Sequence, residues 1–287
     1  IVDRDFVEAS NLQRQTMFTE SDARERLPKS VACANHLALI NSEVEADAIV
    51  ADVNHSNIEG LIKDCDVVLD GTDNFSTRYL INDACVKHEI NWIYGAAVGS
   101  YGVTMTVRPH TTPCLRCIFE DMPPAASAPT CDTAGVIIPI ISIVAAMQVA
   151  EALKLLTGQF EKLHGSLMQF DVWNNEWRRI KLDSPVPECK TCGLRVFETL
   201  EADAVDFAAV LCGRDAVQVS PGRATRVDLN SLAERLRAAG EVHLNPYLVR
   251  LRAGPYELTI FEDARAIIRG TDDVPTARSL YAKYVGN

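Results

Sequence analysis

The spacing of apolar residues changes along the chain, and each change marks an element. Ile1-Val2 reads as the end of a strand. The stretch 28–41 (PKSVACANHLALIN) is a helix with Val31, Ala34, Leu37 and Ala38 on one face, and 44–53 (VEADAIVADV) alternates as a strand. A short helix through Ile58, Leu61 and Ile62 leads to the apolar run Val67-Val68-Leu69, flanked by acids. The turn residues Gly71-Thr72-Asp73-Asn74, a helix over 75–88 and a strand over 92–97 follow. Strands alternating with helices predict parallel pairing with both faces of the sheet covered.

From Gly99 the pattern becomes antiparallel. Residues 101–108 (YGVTMTVR) form one strand, and 167–173 with 176–182 form a hairpin turning at Asn174-Asn175. Between them lie a Pro/Ala-rich loop, 120–129, expected to be mobile and functional, and a long helix after Pro139. The expected domains are 1–193, a polar linker at 194–204, and a small α+β domain at 205–287. The last holds a strand (VQVS), a helix capped by Asp228, strands around 247–251 and 258–261, and a final helix over 276–284.

Composition narrows the function. With 47% hydrophobic and 23% charged residues in 287, the chain can bury a sizeable core. A net charge of -11 argues against a nucleic-acid surface, which needs clustered cations. The apolar stretch 134–156 is interrupted by Pro139, Ser142, Gln148, Glu151 and Lys154, so a buried helix rather than a membrane span is expected. Four of the nine cysteines form two C-x-x-C pairs, Cys114/Cys117 and Cys189/Cys192, a pattern that suits a reducing cytoplasm.

Several residues carry candidate chemistry. Asp3, at the end of a strand, is placed to bond a ribose hydroxyl, or it simply ends the strand in solvent. In the first reading the glycine-rich phosphate loop is expected upstream of residue 1. Lys29 follows Pro28 at a helix start, where a cation opposes the helix dipole; an anion there, shared by Arg14 and Lys29, would relieve the conflict. Asp73 in Asp70-Gly71-Thr72-Asp73-Asn74 sits at the carboxyl edge of the sheet and suits Mg2+ or phosphate positioning, while Asn74 is also a helix cap. The four paired cysteines suit a structural zinc held by thiolates alone, clamping a hairpin to the sheet edge. The alternative is two unrelated redox pairs, and His110 is a spare ligand. Cys131, before the long helix, is either a nucleophile or buried filler.

The order D-x-D, S-N-L-x-R-Q, P-K, D-G-T-D-N, C-x-x-C, T-C-x-x-x-G-V, C-x-x-C over 1–193 resembles the MoeB/ThiF family of E1-like adenylyltransferases. The resemblance implies an α/β fold: a Rossmann-like, mostly parallel sheet extended by antiparallel strands, with a zinc-clamped edge and a second, smaller α+β domain. It implies use of ATP, with Mg2+, to adenylate the C-terminal glycine of a ubiquitin-like sulfur-carrier protein ending in Gly-Gly, in thiamine or molybdopterin synthesis. The expected partners also include a cysteine desulfurase or other sulfur donor and a second copy of the chain as a homodimer, with no nucleic acid and no membrane. By the resemblance Asp3 is the ribose ligand, Asn11, Arg14 and Lys29 bind phosphate, and Asp73 coordinates magnesium with Asn74 beside it. Cys114, Cys117, Cys189 and Cys192 hold Zn2+, and Cys131 matches a thiol that bonds covalently to the carrier or a persulfide. Without the glycine-rich loop, weak or no ATP turnover is expected of residues 1–287 alone. A non-catalytic, zinc-stabilised carrier-binding protein is the alternative. A nicotinamide-dependent dehydrogenase shares the sheet and the ribose acid but leaves Arg14, Lys29 and Asp73 together without a role.

Overall fold

A computed structural model describes residues 1–123, 134–201, 207–211, 215–221 and 225–286. The chain divides into two compact units, Ile1–Ala202 and Asp203–Asn287.

In the first unit, β1 (Val2–Asp3) and β2 (Ile49–Val50) pair in parallel, joined through α1 (Glu20–Glu25) and α2 (Lys29–Ile40). Thr19 starts α1 with a reciprocal capping box to Asp22. The strand expected over 44–53 is only two residues long. Val44 is exposed among Glu43, Glu45 and Asp47, and β1 is itself too short to pair with more.

After α3 (Ile58–Ile62) comes the five-stranded sheet: β3 (Val67–Leu69), then, beyond α4 (Phe75–Lys87), β4 (Asn91–Val98) and β5 (Tyr101–Val107). The helices α5 (Leu115–Ile118) and α6 (Ile138–Leu156) precede β6 (Ser166–Asp171) and β7 (Glu176–Lys181). The order is β3-β4-β5-β6-β7. Only β3–β4 is parallel, because α4 supplies the crossover that parallel pairing needs, whereas the later connections are hairpins or return antiparallel. The α/β class with both kinds of pairing is as expected, but among the described strands only β1–β2 and β3–β4 pair in parallel, so the first unit is less parallel than the mostly parallel sheet expected.

The helix α6 lies across β3, β4 and β5. Two glycines admit it: a Cβ on Gly102 would stand 2.6 Å from Val144 and 2.8 Å from Ile140, and one on Gly95 would stand 2.5 Å from Gln148. By length and composition α6 could cross a membrane. Its inner face is instead packed on the sheet, with Ile140, Val144, Gln148, Glu151, Ala152 and Leu155 buried. The expected buried helix thus buries one face on the sheet, while Val149, Leu153 and Leu156 of its other face are exposed. The opposite face of the sheet holds the larger core, where Trp92, Tyr94, Met105 and Val107 meet Tyr79, Ala84 and Cys85 of α4. The expected linker is also corrected in its first part. Phe197 is buried in this core and Thr199 bonds to Asp83, so residues 194–201 belong to the first unit.

The second unit is a six-stranded antiparallel sheet. Its strands are β8 (Phe207–Leu211), β9 (Ala216–Ser220), β10 (Glu241–Asn245), β11 (Leu248–Ala253), β12 (Tyr256–Phe261) and β13 (Ala266–Arg269). Their order is β10-β11-β12-β13-β9-β8. The helix α7 (Leu229–Leu236) is capped by Asp228 as expected, and α8 (Val274–Tyr284) by Asp273. Val217, Leu232, Leu251, Ile260, Ile268 and Ala277 form its core. Sequence periodicity does not identify β8, β10 or β13: β10 is largely exposed and β13 is four residues long, too little for a clear alternation.

Candidate functional site

Asp3 ends β1, and its carboxylate accepts the Asp5 backbone N–H at 2.8 Å. Burial holds the Asp3 carboxyl above its usual range, with the charge of Lys29 acting in opposition. Lys29 is buried at the start of α2, directly after the N-cap Pro28. Its Nζ stands 3.4 Å from Asp5 Oδ2, and its backbone N–H donates to the Asp5 carbonyl at 2.9 Å. Asp5 thus supplies negative charge at the helix start, the position where the sequence called for an anion. The D-x-D motif therefore has two distinct acids, one at the strand end and one pairing with the lysine.

Asn11 is buried, and its side-chain carbonyl accepts the Glu8 N–H at 3.1 Å, closing a single turn over Ala9–Asn11. Arg14 donates to the Ser10 carbonyl at 2.8 Å. The S-N-L-x-R-Q motif is thus a compact turn whose polar side chains hold its own backbone.

Asp73 lies close enough to Arg4, the residue after β1, to act on its charge. Burial works against the charge on Arg4, but the carboxylates of Asp52, Asp5 and Asp73 raise its pKa overall. Arg4 pairs with Asp52 at 3.2 Å. Asp3, Asp5, Lys29, Arg4 and Asp52 therefore cluster where β1 and β2 end, with Asp73 near enough to act on Arg4; Arg4 and Asp52 are not anticipated from sequence. Arg4 is the unspecified residue of D-x-D, and only the β1–β2 pairing places it beside Asp52.

The turn carrying Asp73 is fixed from beneath. Asp70, buried at the end of β3, accepts Thr72 N–H at 2.8 Å and Thr72 Oγ1–H at 2.7 Å, and pairs with Arg78 of α4 at 3.2 Å. Arg78 also donates to the Gly95 carbonyl at 3.3 Å, and Gln148 of α6 donates to the carbonyls of Asp70 and Ile93 at 2.8 and 2.9 Å. Asn74 caps α4, accepting Thr77 N–H at 2.9 Å, and Asp73 is left exposed at the tip. The two acids of D-G-T-D-N thus divide their work: Asp70 builds the turn and Asp73 faces outward. Arg78→Ala should cost about 3–5 kcal/mol in stability, because it leaves a buried carboxylate unpaired. Urea unfolding tests this, and an unchanged midpoint would show that the ion pair does not hold the turn.

The sulfurs of Cys114, Cys117, Cys189 and Cys192 all lie within 4.8 Å of one another. Cys114–Cys189 is 3.6 Å and Cys117–Cys192 is 3.3 Å, and none of the four is in a disulfide. Tetrahedral zinc with Zn–S of about 2.3 Å needs sulfurs spaced by roughly 3.8 Å, so this donor set fits that metal with no open position. Gly193 closes the second knuckle, where any Cβ would stand 2.0 Å from the Pro187 carbonyl oxygen. His110 is not part of the cluster; its ring bonds to Glu89 at 3.0 Å. Cys131 lies outside the described residues, as do the loop positions 124–130.

Comparison with known proteins places the chain in a family. The model of the ThiF family matches residues 1–191. The sulfur carrier protein ThiS adenylyltransferase of Bacillus subtilis is 45% identical over 288 residues, covering 100% of this chain and 84% of that protein. The sulfur carrier protein adenylyltransferase of Thermus thermophilus is 33% identical, covering 74% of this chain and 78% of its own. Among solved structures, E. coli MccB with ATP superposes with a TM-score of 0.56 at 20% identity, over 67% of this chain and 57% of that one, a likeness of fold. The chain belongs to the ThiF family of E1-like adenylyltransferases, the family its ordered motifs resemble.

Proposed function

We propose that this chain adenylates the C-terminal glycine of a ubiquitin-like sulfur-carrier protein ending in Gly-Gly, in the thiamine or molybdopterin type of pathway. The observation that carries this reading is the charged cluster after β1, where Asp3, Asp5 and Lys29 lie together and Asp73, from the turn after β3, acts on the neighbouring Arg4. Open α/β sheets bind ligands at their carboxyl ends, and this cluster has the groups an ATP-dependent step requires.

In the reaction a carboxylate oxygen of the carrier attacks the α-phosphorus of ATP, the bond to pyrophosphate breaks, and an acyl-adenylate forms. Two anions must approach each other, so cations set the rate. Lys29 and Arg14 are assigned to the phosphates, with Asn11 beside them, and Asp3 to the ribose. Asp73 would hold Mg2+, with Asn74 adjacent, and that ion would supply further positive charge to the departing pyrophosphate. Asp5 holds the Lys29 ammonium in place until the phosphates arrive. The four cysteines would hold zinc in a structural role, and Cys131 is the proposed thiol of the later sulfur step. A sulfur donor such as a cysteine desulfurase, a homodimer and a cytoplasmic setting belong to the same reading.

The pairing of Lys29 with Asp5 also suits the second reading, a carrier-binding protein without catalysis, since the cation already has a partner. Carrier-dependent ATP–pyrophosphate exchange separates the two. It is measured on the full-length protein against several carriers ending in Gly-Gly. Carrier-dependent exchange is the expected result. Silence, with carrier still bound, would favour the binding protein.

A further inference from the structure

The two C-x-x-C motifs come from distant parts of the sequence, yet their sulfurs converge among the described residues without help from a regular element that spans them. The convergence has a source in α4. Asp83 is fully buried there, and its Oδ1 accepts the Thr191 hydroxyl at 2.6 Å and lies 3.7 Å from Arg116 Nε. Thr191 and Arg116 are each the third residue of a C-x-x-C motif. The other oxygen, Oδ2, accepts both the N–H and the hydroxyl of Thr199 at 3.2 and 2.7 Å, tying down the segment that leaves the second motif. The neighbouring side chain, Asn82, is also fully buried, and its Oδ1 accepts the Leu115 N–H of the first motif at 2.8 Å. On the outer side Glu198 joins Arg116 at 3.4 Å and Lys190 at 3.0 Å, one residue from each motif.

We propose that Asp83, supported by Asn82, is a positioning residue for the four-sulfur site. Its carboxylate holds the third residue of both motifs and brings the four thiols to the spacing a metal requires. The inference rests on the zinc reading above. A buried carboxylate is costly unless matched, and here its hydrogen bonds and ion pair all go to the segments that form or leave the cluster. Groups behind a ligand set that fix its orientation commonly change metal affinity by about 10–100-fold when removed. Asp83 acts on the segments that carry the ligands rather than on the sulfurs, so its removal should loosen the site without changing its donor set.

The test uses the whole chain. Zinc affinity is measured by competition with a chromophoric chelator for the parent, Asp83→Asn, Thr191→Val, the double variant, and Leu80→Ala as a control. Leu80 is buried in the same helix and core, and its apolar side chain offers no hydrogen bond to either motif. Asn at 83 keeps the shape but cannot accept at both oxygens, and Thr191→Val removes the partner instead, so one variant remains informative if the other folds poorly. Asp83→Asn and Thr191→Val should each weaken zinc binding by about 10–100-fold. The double variant should be weakened no more than the worse single one, since both break the same link. Cobalt(II) loaded into the variants should keep the thiolate charge-transfer bands of a four-sulfur site at lower occupancy. Leu80→Ala should lower the melting temperature while leaving zinc affinity near the parent value. Parental affinity in Asp83→Asn, or a loss that merely follows melting temperature as in Leu80→Ala, would overturn the positioning role. A parent chain that binds no zinc would overturn the zinc reading itself, and the inference with it.

Discussion

Cys189→Ser should release zinc and lower the stability of the first unit by several kcal/mol, since a structural zinc site contributes of order 10 kcal/mol to folding and a serine ligand is far weaker than a thiolate. The expected size follows from where the cluster sits. Cys114 and Cys189 are buried members of the main core beside Leu115 and Phe197, and residues 182–194 contain no helix or strand of their own. Without a metal, that stretch is held by the hydrogen bonds of Asp83 and by short turns such as Gly193 N–H to the Cys189 carbonyl at 2.9 Å. Metal content by atomic emission and melting by circular dichroism check the result. Undiminished zinc with an unchanged transition would show that the metal does not need the Cys189 thiolate and would refute the clamp.

In the full-length protein Asp73→Ala should abolish carrier-dependent pyrophosphate exchange while leaving the fold intact. The two halves of that statement have separate physical grounds. Asp73 is exposed, and among the described residues its side chain takes one long hydrogen bond, from Asn74 Nδ2 at 3.4 Å, besides its action on the charge of Arg4, so its loss should change stability by no more than about 0.5 kcal/mol. Activity should fall by at least about 10²–10³-fold, the range seen when one group stabilising transition-state charge is removed. Asp70 provides the internal contrast, because it is buried with Arg78 and its removal should disturb the turn itself. Measured exchange close to that of the parent would take Asp73 out of the site; loss of exchange together with loss of folding would show that the turn, rather than the carboxylate, had been removed.

Local signals carry much of the site. Proline and lysine at 28–29 mark the start of α2, the asparagine at 74 marks the cap of α4, and both stand in the structure as expected. The pairing partners are hidden from such signals. That Lys29 meets Asp5 depends on β1 ending beside the start of α2. That Asp70 meets Arg78 depends on a helix returning over the strand, although the two are only eight positions apart. The outer face of α6 escapes a sequence reading because periodicity reports apolar character and not which neighbour covers it: Leu153 and Leu156 are as apolar as the buried Leu155.

The α/β class, the order of the motifs and the identity of the four sulfur donors are legible in the chain of letters, because spacing, turn residues and ligand chemistry act over a few neighbouring positions. Packing in three dimensions settles the rest: which acid builds the Asp70–Asn74 turn and which faces outward, that Arg4 and Asp52 join the charged cluster, and that Asp83 lies behind both cysteine knuckles. Each of these is a contact between segments that folding brings together. Its energy arises from burial and from charges meeting across the fold, and neither is written in the residues on one side alone.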